Sequence, residues 1–268
     1  MMGGLDMKDF VYVHIDTISN AVLTQGITIK DFHQGIVHQP KNLLLLNPSS
    51  DLGDYESHTA MKVIRGNEAV DNYFRTVEKM RLVEETKWID FTDLAMLKEL
   101  TPLEISELLY FGHMKTHLHS PFFYKLQNNF VYFDLNDNIA RTYYRYLDEF
   151  YRILANKLTQ IVFEIMNQKR SLFRKPQPIE KLNVDLVKSL REFMREGLVF
   201  SFTQAVKTED VFQIPIFVVE DTRFRIATPP FKDDALIGHL SYHLTTNIWQ
   251  LDVDEDHLAF ASLSSTHF

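Results

Sequence analysis

The chain has 268 residues, 45% of them hydrophobic and 24% charged, and it contains no Cys. That apolar content is too high for a disordered chain, and nine Gly with nine Pro are too few for a fibrous or low-complexity one. Without Cys, disulfide frameworks and thiolate zinc sites are excluded, and the net charge of −8 disfavours a general nucleic-acid binder.

No apolar run exceeds four residues, as in Leu43–Leu46, which is far short of a membrane span. The first ten residues carry Asp6 and Asp9 and lack the basic-then-apolar pattern of a secretory signal. Cytoplasmic residence is therefore expected. Met1-Met2-Gly3-Gly4 reads as an added or misplaced start, with Met7 as another candidate.

Phe10–Ile15 is β-branched and aromatic on both faces, which predicts a central strand. Ala21–Leu23 and Ile27–Ile29 flank Gly26 and suggest a hairpin. Leu43–Leu46 reads as a short buried strand, followed by a turn-rich loop from Pro48 to Asp54. Met61, Ile64, Val70, Phe74 and Val77 recur at helical spacing, which predicts one or two helices within 57–80, interrupted near Gly66-Asn67.

Lys87–Phe91 is a candidate strand, followed by a short helix to about Leu100. Thr101-Pro102-Leu103-Glu104 places Thr at the N-cap, Pro at the first helical position and Glu at the third. This is a capping box, and it predicts a helix from 102 to about His117. Phe130–Leu135 and Ile139–Tyr146 look like two strands around Asn136-Asp137-Asn138, residues that tolerate positive φ.

From Leu147 the period becomes helical. Leu147, Tyr151, Leu154, Leu158, Ile161 and Ile165 form a seam too short for a sustained coiled coil, so core packing is favoured. That helix should end near Gln168. A basic, Pro-containing linker (Lys169, Arg170, Arg174, Lys175, Pro176, Pro178) marks the best candidate boundary. A second helix is expected over 180–196, stopped by Gly197. Leu198–Val206, Val211–Val219 and Arg223–Ala227 resemble an antiparallel meander. The region 235–251 is ambiguous between helix and strand, and Leu258–Leu263 could be a last strand.

The expected fold class is α+β: mixed or antiparallel sheet segments, a long central helix pair (147–196) and a C-terminal antiparallel meander. An N-terminal segment (1–135) and a C-terminal one (136–268) could also close into one compact domain.

Several chemistries are absent. No glycines form the dinucleotide fingerprint, the phosphate loop or a serine elbow. Asp252-x-Asp254-x-Asp256 begins like a calcium loop, but His257 and Leu263 stand where Gly and Glu are required. Two features remain. His113 and His117 are four apart, as are His239 and His243, so each pair could share a face and hold a divalent metal such as zinc. Met114, where the general base should stand, argues against a zincin protease. Separately, residues 138–175 carry a local charge of +5, with tyrosines interleaved. Arg141, Tyr143, Tyr144, Arg145, Arg152, Arg170, Arg174 and Lys175 are its candidate contact residues. Arg and Tyr are over-represented at protein interfaces.

The favoured expectation is a non-catalytic binding or regulatory protein that contacts an acidic protein partner through this basic, Tyr-rich surface, with no cofactor. The alternative is a metal-dependent hydrolase with a His-ligated divalent ion.

Overall fold

The computed structural model describes residues 9–47, 51–80, 86–113, 122–135, 138–168, 176–219 and 229–254. In chain order the elements are β1 (Phe10–Asp16), β2 (Ala21–Gln25), α1 (Ile29–Gly35), β3 (Asn42–Leu45), β4 (Asp54–Glu56), β5 (Met61–Arg65), α2 (Asn67–Met80), β6 (Lys87–Phe91), α3 (Ala95–Lys98) and α4 (Pro102–His113). There follow β7 (Phe130–Asp134), β8 (Ile139–Tyr144), α5 (Leu147–Asn167), α6 (Val184–Lys188), α7 (Arg191–Glu196), β9 (Leu198–Ser201), β10 (Val206–Lys207), β11 (Val211–Val218), β12 (Leu236–His243) and β13 (Ile248–Val253). The class is mixed α+β, with antiparallel pairing.

The chain divides into two units. One comprises Met1–Ile15, Thr24–Ile27 and Tyr151–Phe268, the other Asp16–Leu23 and Thr28–Phe150. The division falls inside α5, whose first turn belongs to the second unit. The linker 169–175 lies outside the described residues.

In the first unit the strands run β13-β12-β11-β9-β1, with β10 on β11. β9, β11, β12 and β13 pair antiparallel in succession, so a C-terminal meander is present. The ambiguous region 235–251 is the hairpin β12–β13. Segment 176–183 is extended and pinned from both sides. Gln177 N–H donates to Asn167 Oδ1 (2.9 Å), Leu182 N–H to Thr159 Oγ1 (3.0 Å), and Trp249 Nε1–H to Glu180 O (2.7 Å). Gly197 has φ +99, and a Cβ there would lie 2.5 Å from Val219 O. Only glycine accepts both constraints.

The second unit orders its strands β8-β7-β6-β3-β5-β4. Strand alternation sends Trp88, Phe130, Tyr132 and Tyr144 to one face, where they meet α1 and α2. Phe32 of α1 is the hub, with ring centroids 5.2 Å from Phe130, 5.6 Å from Trp88 and 5.6 Å from Tyr132. The opposite face buries Leu44, Met61, Val63, Ile89, Val131, Phe133 and Tyr143 against Leu97, Leu108 and Phe111 of α3 and α4. A sheet covered on both faces explains why its strands read as near-continuous apolar runs.

Four expectations are corrected. Ile27–Ile29 is not half of a hairpin. Thr28 is the N-cap of α1, in a box where Asp31 replaces the usual Glu: Thr28 N–H donates to Asp31 Oδ2 (2.8 Å) and Asp31 N–H to Thr28 Oγ1 (3.3 Å). Met61–Arg65 is strand β5, not helix, because it pairs with β3 on the apolar run Leu43–Leu45. The switch to helix comes only after Gly66, with φ +86. The segment 180–196 is not one long helix, so the long central pair is not formed. It breaks into α6 and α7 where Leu190 leaves helical geometry (φ −84, ψ 4) and Ser189 Oγ–H turns back to Leu186 O (2.9 Å). β9 also stops at Ser201, because Phe202 and Thr203 N–H both donate to Asp9 O. The segments 223–227 and 258–263 lie outside the described residues.

Candidate functional site

The two His pairs do not assemble a metal centre among the described residues, where no three His, Asp or Glu side chains cluster suitably. His113 is exposed at the last residue of α4, and His117 lies outside the described residues. His239 and His243 do share one face of β12. Four residues of strand separate them by about 13 Å, however, with side chains roughly parallel. That is too far for one ion with bonds of about 2 Å. His243 Nε2 instead meets Gln250 Oε1 at 3.1 Å.

The basic, tyrosine-rich stretch is redistributed by the fold. Tyr143 and Tyr144 are buried on opposite faces of β8 and offer no surface. Sequence reasoning missed this because both faces of the sheet are covered, and a polar-tipped ring suits either face. Arg141 is half-buried on β8 and Arg152 is exposed on α5, in the first unit. Arg170, Arg174 and Lys175 lie outside the described residues.

Arg145 is different. It follows β8 directly, and its guanidinium sits 5.9 Å from the centroid of the Tyr124 ring, within cation–π range. Tyr124 is 77% exposed. It begins a 3-10 turn, Tyr124–Leu126, closed by Gln127 in the left-handed region and tied down by Asn128, whose Oδ1 accepts Phe123 N–H (2.9 Å). The backbone beneath is fixed as well. Arg145 N–H donates to Asn129 O (2.8 Å), while Asn129 and Phe130 N–H donate to Asp90 (2.9 and 2.6 Å). Asp90 is buried on β6. Burial pushes its carboxyl up to about 6, against the pull of those N–H donors and of the Arg145 charge.

The next residue, Tyr146, is 53% exposed, and its ring centroid lies 5.8 Å from that of His38. His38 follows α1. Its Nδ1 contacts Glu149 Oε1, in the first turn of α5. Glu149 Oε2 accepts Val37 N–H (2.7 Å), and Oε1 also accepts His38 N–H (3.3 Å). The Glu149 side chain is 5% exposed and the His38 side chain 55%. A helix N-terminus favours a carboxylate there. Two exposed tyrosine rings, Tyr124 and Tyr146, thus lie beside a guanidinium and an imidazole at the end of β8. Buried Glu149 anchors the His38 ring, and buried Asp90 anchors the backbone beneath Arg145. Tyr124, His38 and Glu149 carried no local signal in the sequence, since His38 and Glu149 meet across 111 residues.

Elsewhere in this unit, His33 Nε2 lies 3.4 Å from Asp71, with burial lowering the imidazole below its ordinary value. Lys87 Nζ is buried and donates to Gly112 O (3.0 Å) near the end of α4, a structural use of a lysine. Among the described residues no helix is long and apolar enough to cross a membrane. Comparison with protein-family models, with curated proteins and with solved structures finds no match.

Proposed function

We propose that the protein is a non-catalytic binding protein, and that the surface at the end of β8 receives an acidic segment of a protein partner. The observation that supports this reading is the Arg145–Tyr124 pair, a guanidinium held 5.9 Å from an exposed ring by an anchored backbone. Tyr and Arg dominate interface hot spots because they give large contact area and directed charge. Fixing them before binding lowers the ordering cost of association. Tyr146 and His38 extend the surface with a second ring and a second nitrogen base. Arg145 is retained from the basic stretch; Tyr143 and Tyr144 are replaced by Tyr124 and Tyr146.

The test is a fluorescence-anisotropy titration of a labelled glutamate- and aspartate-rich peptide against the full chain. Binding by the wild type should weaken by at least about tenfold in Arg145→Glu, and similarly in Tyr124→Ala, as expected for hot-spot side chains. Equal binding by wild type and both variants would overturn the proposal.

A further inference from the structure

The His38–Glu149 pair supports an inference of a different kind. A carboxylate oxygen only accepts, so in the neutral imidazole the proton sits on Nδ1, where His38 faces Glu149. The tautomer is thereby fixed, and the lone pair falls on Nε2. That nitrogen makes no hydrogen bond among the described residues and belongs to a side chain that is 55% exposed. Other histidines are arranged the opposite way. Nε2 of His33 faces Asp71, Nε2 of His58 faces Leu100 O (2.8 Å), and Nε2 of His243 faces Gln250.

Glu149 is also held rigidly. Two backbone N–H groups and the imidazole fix its oxygens, and its side chain is 5% exposed. A nucleophilic imidazole acquires positive charge as it forms a bond through Nε2. A buried carboxylate on Nδ1 stabilises that charge and holds the ring in place, as in the carboxylate–histidine half of a catalytic triad. The pair therefore has the parts of an activated nucleophile: an oriented ring, a countercharge and an open attacking atom.

We propose that His38 is a phosphoryl-acceptor histidine, modified at Nε2 by donors with a phosphorus–nitrogen bond. In the step, the Nε2 lone pair attacks phosphorus and forms the N–P bond. The donor P–N bond breaks and its electron pair leaves on the departing nitrogen, which from phosphoramidate departs as ammonia. The Nδ1 proton stays in place, and the resulting cationic ring faces Glu149. Nothing is oxidised or reduced.

The probe is phosphoramidate on the folded full-length protein, with the modified residue located by mass spectrometry under conditions that preserve acid-labile phosphate. His38 should label faster than the other histidines, and faster than it does in protein unfolded in urea. Glu149→Gln keeps an acceptor for Nδ1–H but removes the charge. It should slow labelling roughly tenfold while circular dichroism stays unchanged. Labelling at His38 no faster than at exposed His113, equal rates in folded and unfolded protein, or a wild-type rate in a folded Glu149→Gln variant would each overturn the proposal. Because the protein is labelled alone, the result is independent of whether an acidic partner binds.

Discussion

Asp90→Asn isolates the support beneath Arg145. The Asp90 carboxyl is raised to about 6 from 3.8, with burial the leading cause. A raised carboxyl binds its proton more tightly in the folded than in the unfolded chain. Its contribution to stability is therefore full below the unfolded value and is lost as pH rises through about 6. The shift corresponds to about 3 kcal/mol. Asn cannot titrate, but its Oδ1 can still accept Phe130 N–H. The variant should carry a constant offset, because its Nδ2 replaces the Oδ2 that Asn129 N–H also approaches at 3.1 Å. Urea unfolding of both proteins at about pH 3.5 and about pH 7.5 reads the difference directly. All other titrating groups are shared. Between those two conditions the wild type should lose about 3 kcal/mol relative to Asp90→Asn. A difference that does not change with pH, or one that moves in favour of the wild type as pH rises, would refute this reasoning.

Two packing predictions follow from the second unit. Phe32→Ala removes the ring that five aromatic neighbours surround, from Phe130 at 5.2 Å to Phe74 at 6.4 Å. It should cost about 3–5 kcal/mol by urea unfolding, and a loss under about 1 kcal/mol would deny it the hub role. Gly112→Ala puts a Cβ 2.3 Å from Leu46 O, a backbone atom that cannot swing away. It should destabilise by at least about 1–3 kcal/mol in a thermal melt, whereas an unchanged midpoint would mean that α4 and Leu46, just after β3, are not in such close contact.

Where local chemistry decides structure, the sequence was a good guide. The Thr101 capping box forms as read, with Thr101 N–H donating to Glu104 Oε2 (2.7 Å) and Glu104 N–H to Thr101 Oγ1 (3.3 Å). The strands at 87–91, 130–134 and 139–144 and the helix at 147–167 stand close to their expected limits. Misreadings came where partners decide. Met61 and Ile64 have helical spacing, yet β3 recruits them into a ladder. The seam of α5 is wider than a heptad pair of positions, since Phe150, Ile153, Ala155 and Val162 are also buried. Arg145 was legible as part of a basic stretch. Tyr124 and His38 were not, because their use depends on Asn128, Asp90 and Glu149, which approach them only in the fold.

The central claim is that an acidic segment docks on Tyr124, Arg145, Tyr146 and His38. The most direct measurement is an NMR titration of isotope-labelled protein with a glutamate- and aspartate-rich peptide. Shifts should concentrate at those four residues and weaken as salt is added, because exposed charge pairs are screened. Saturable shifts located elsewhere, with these four unmoved, would contradict the account.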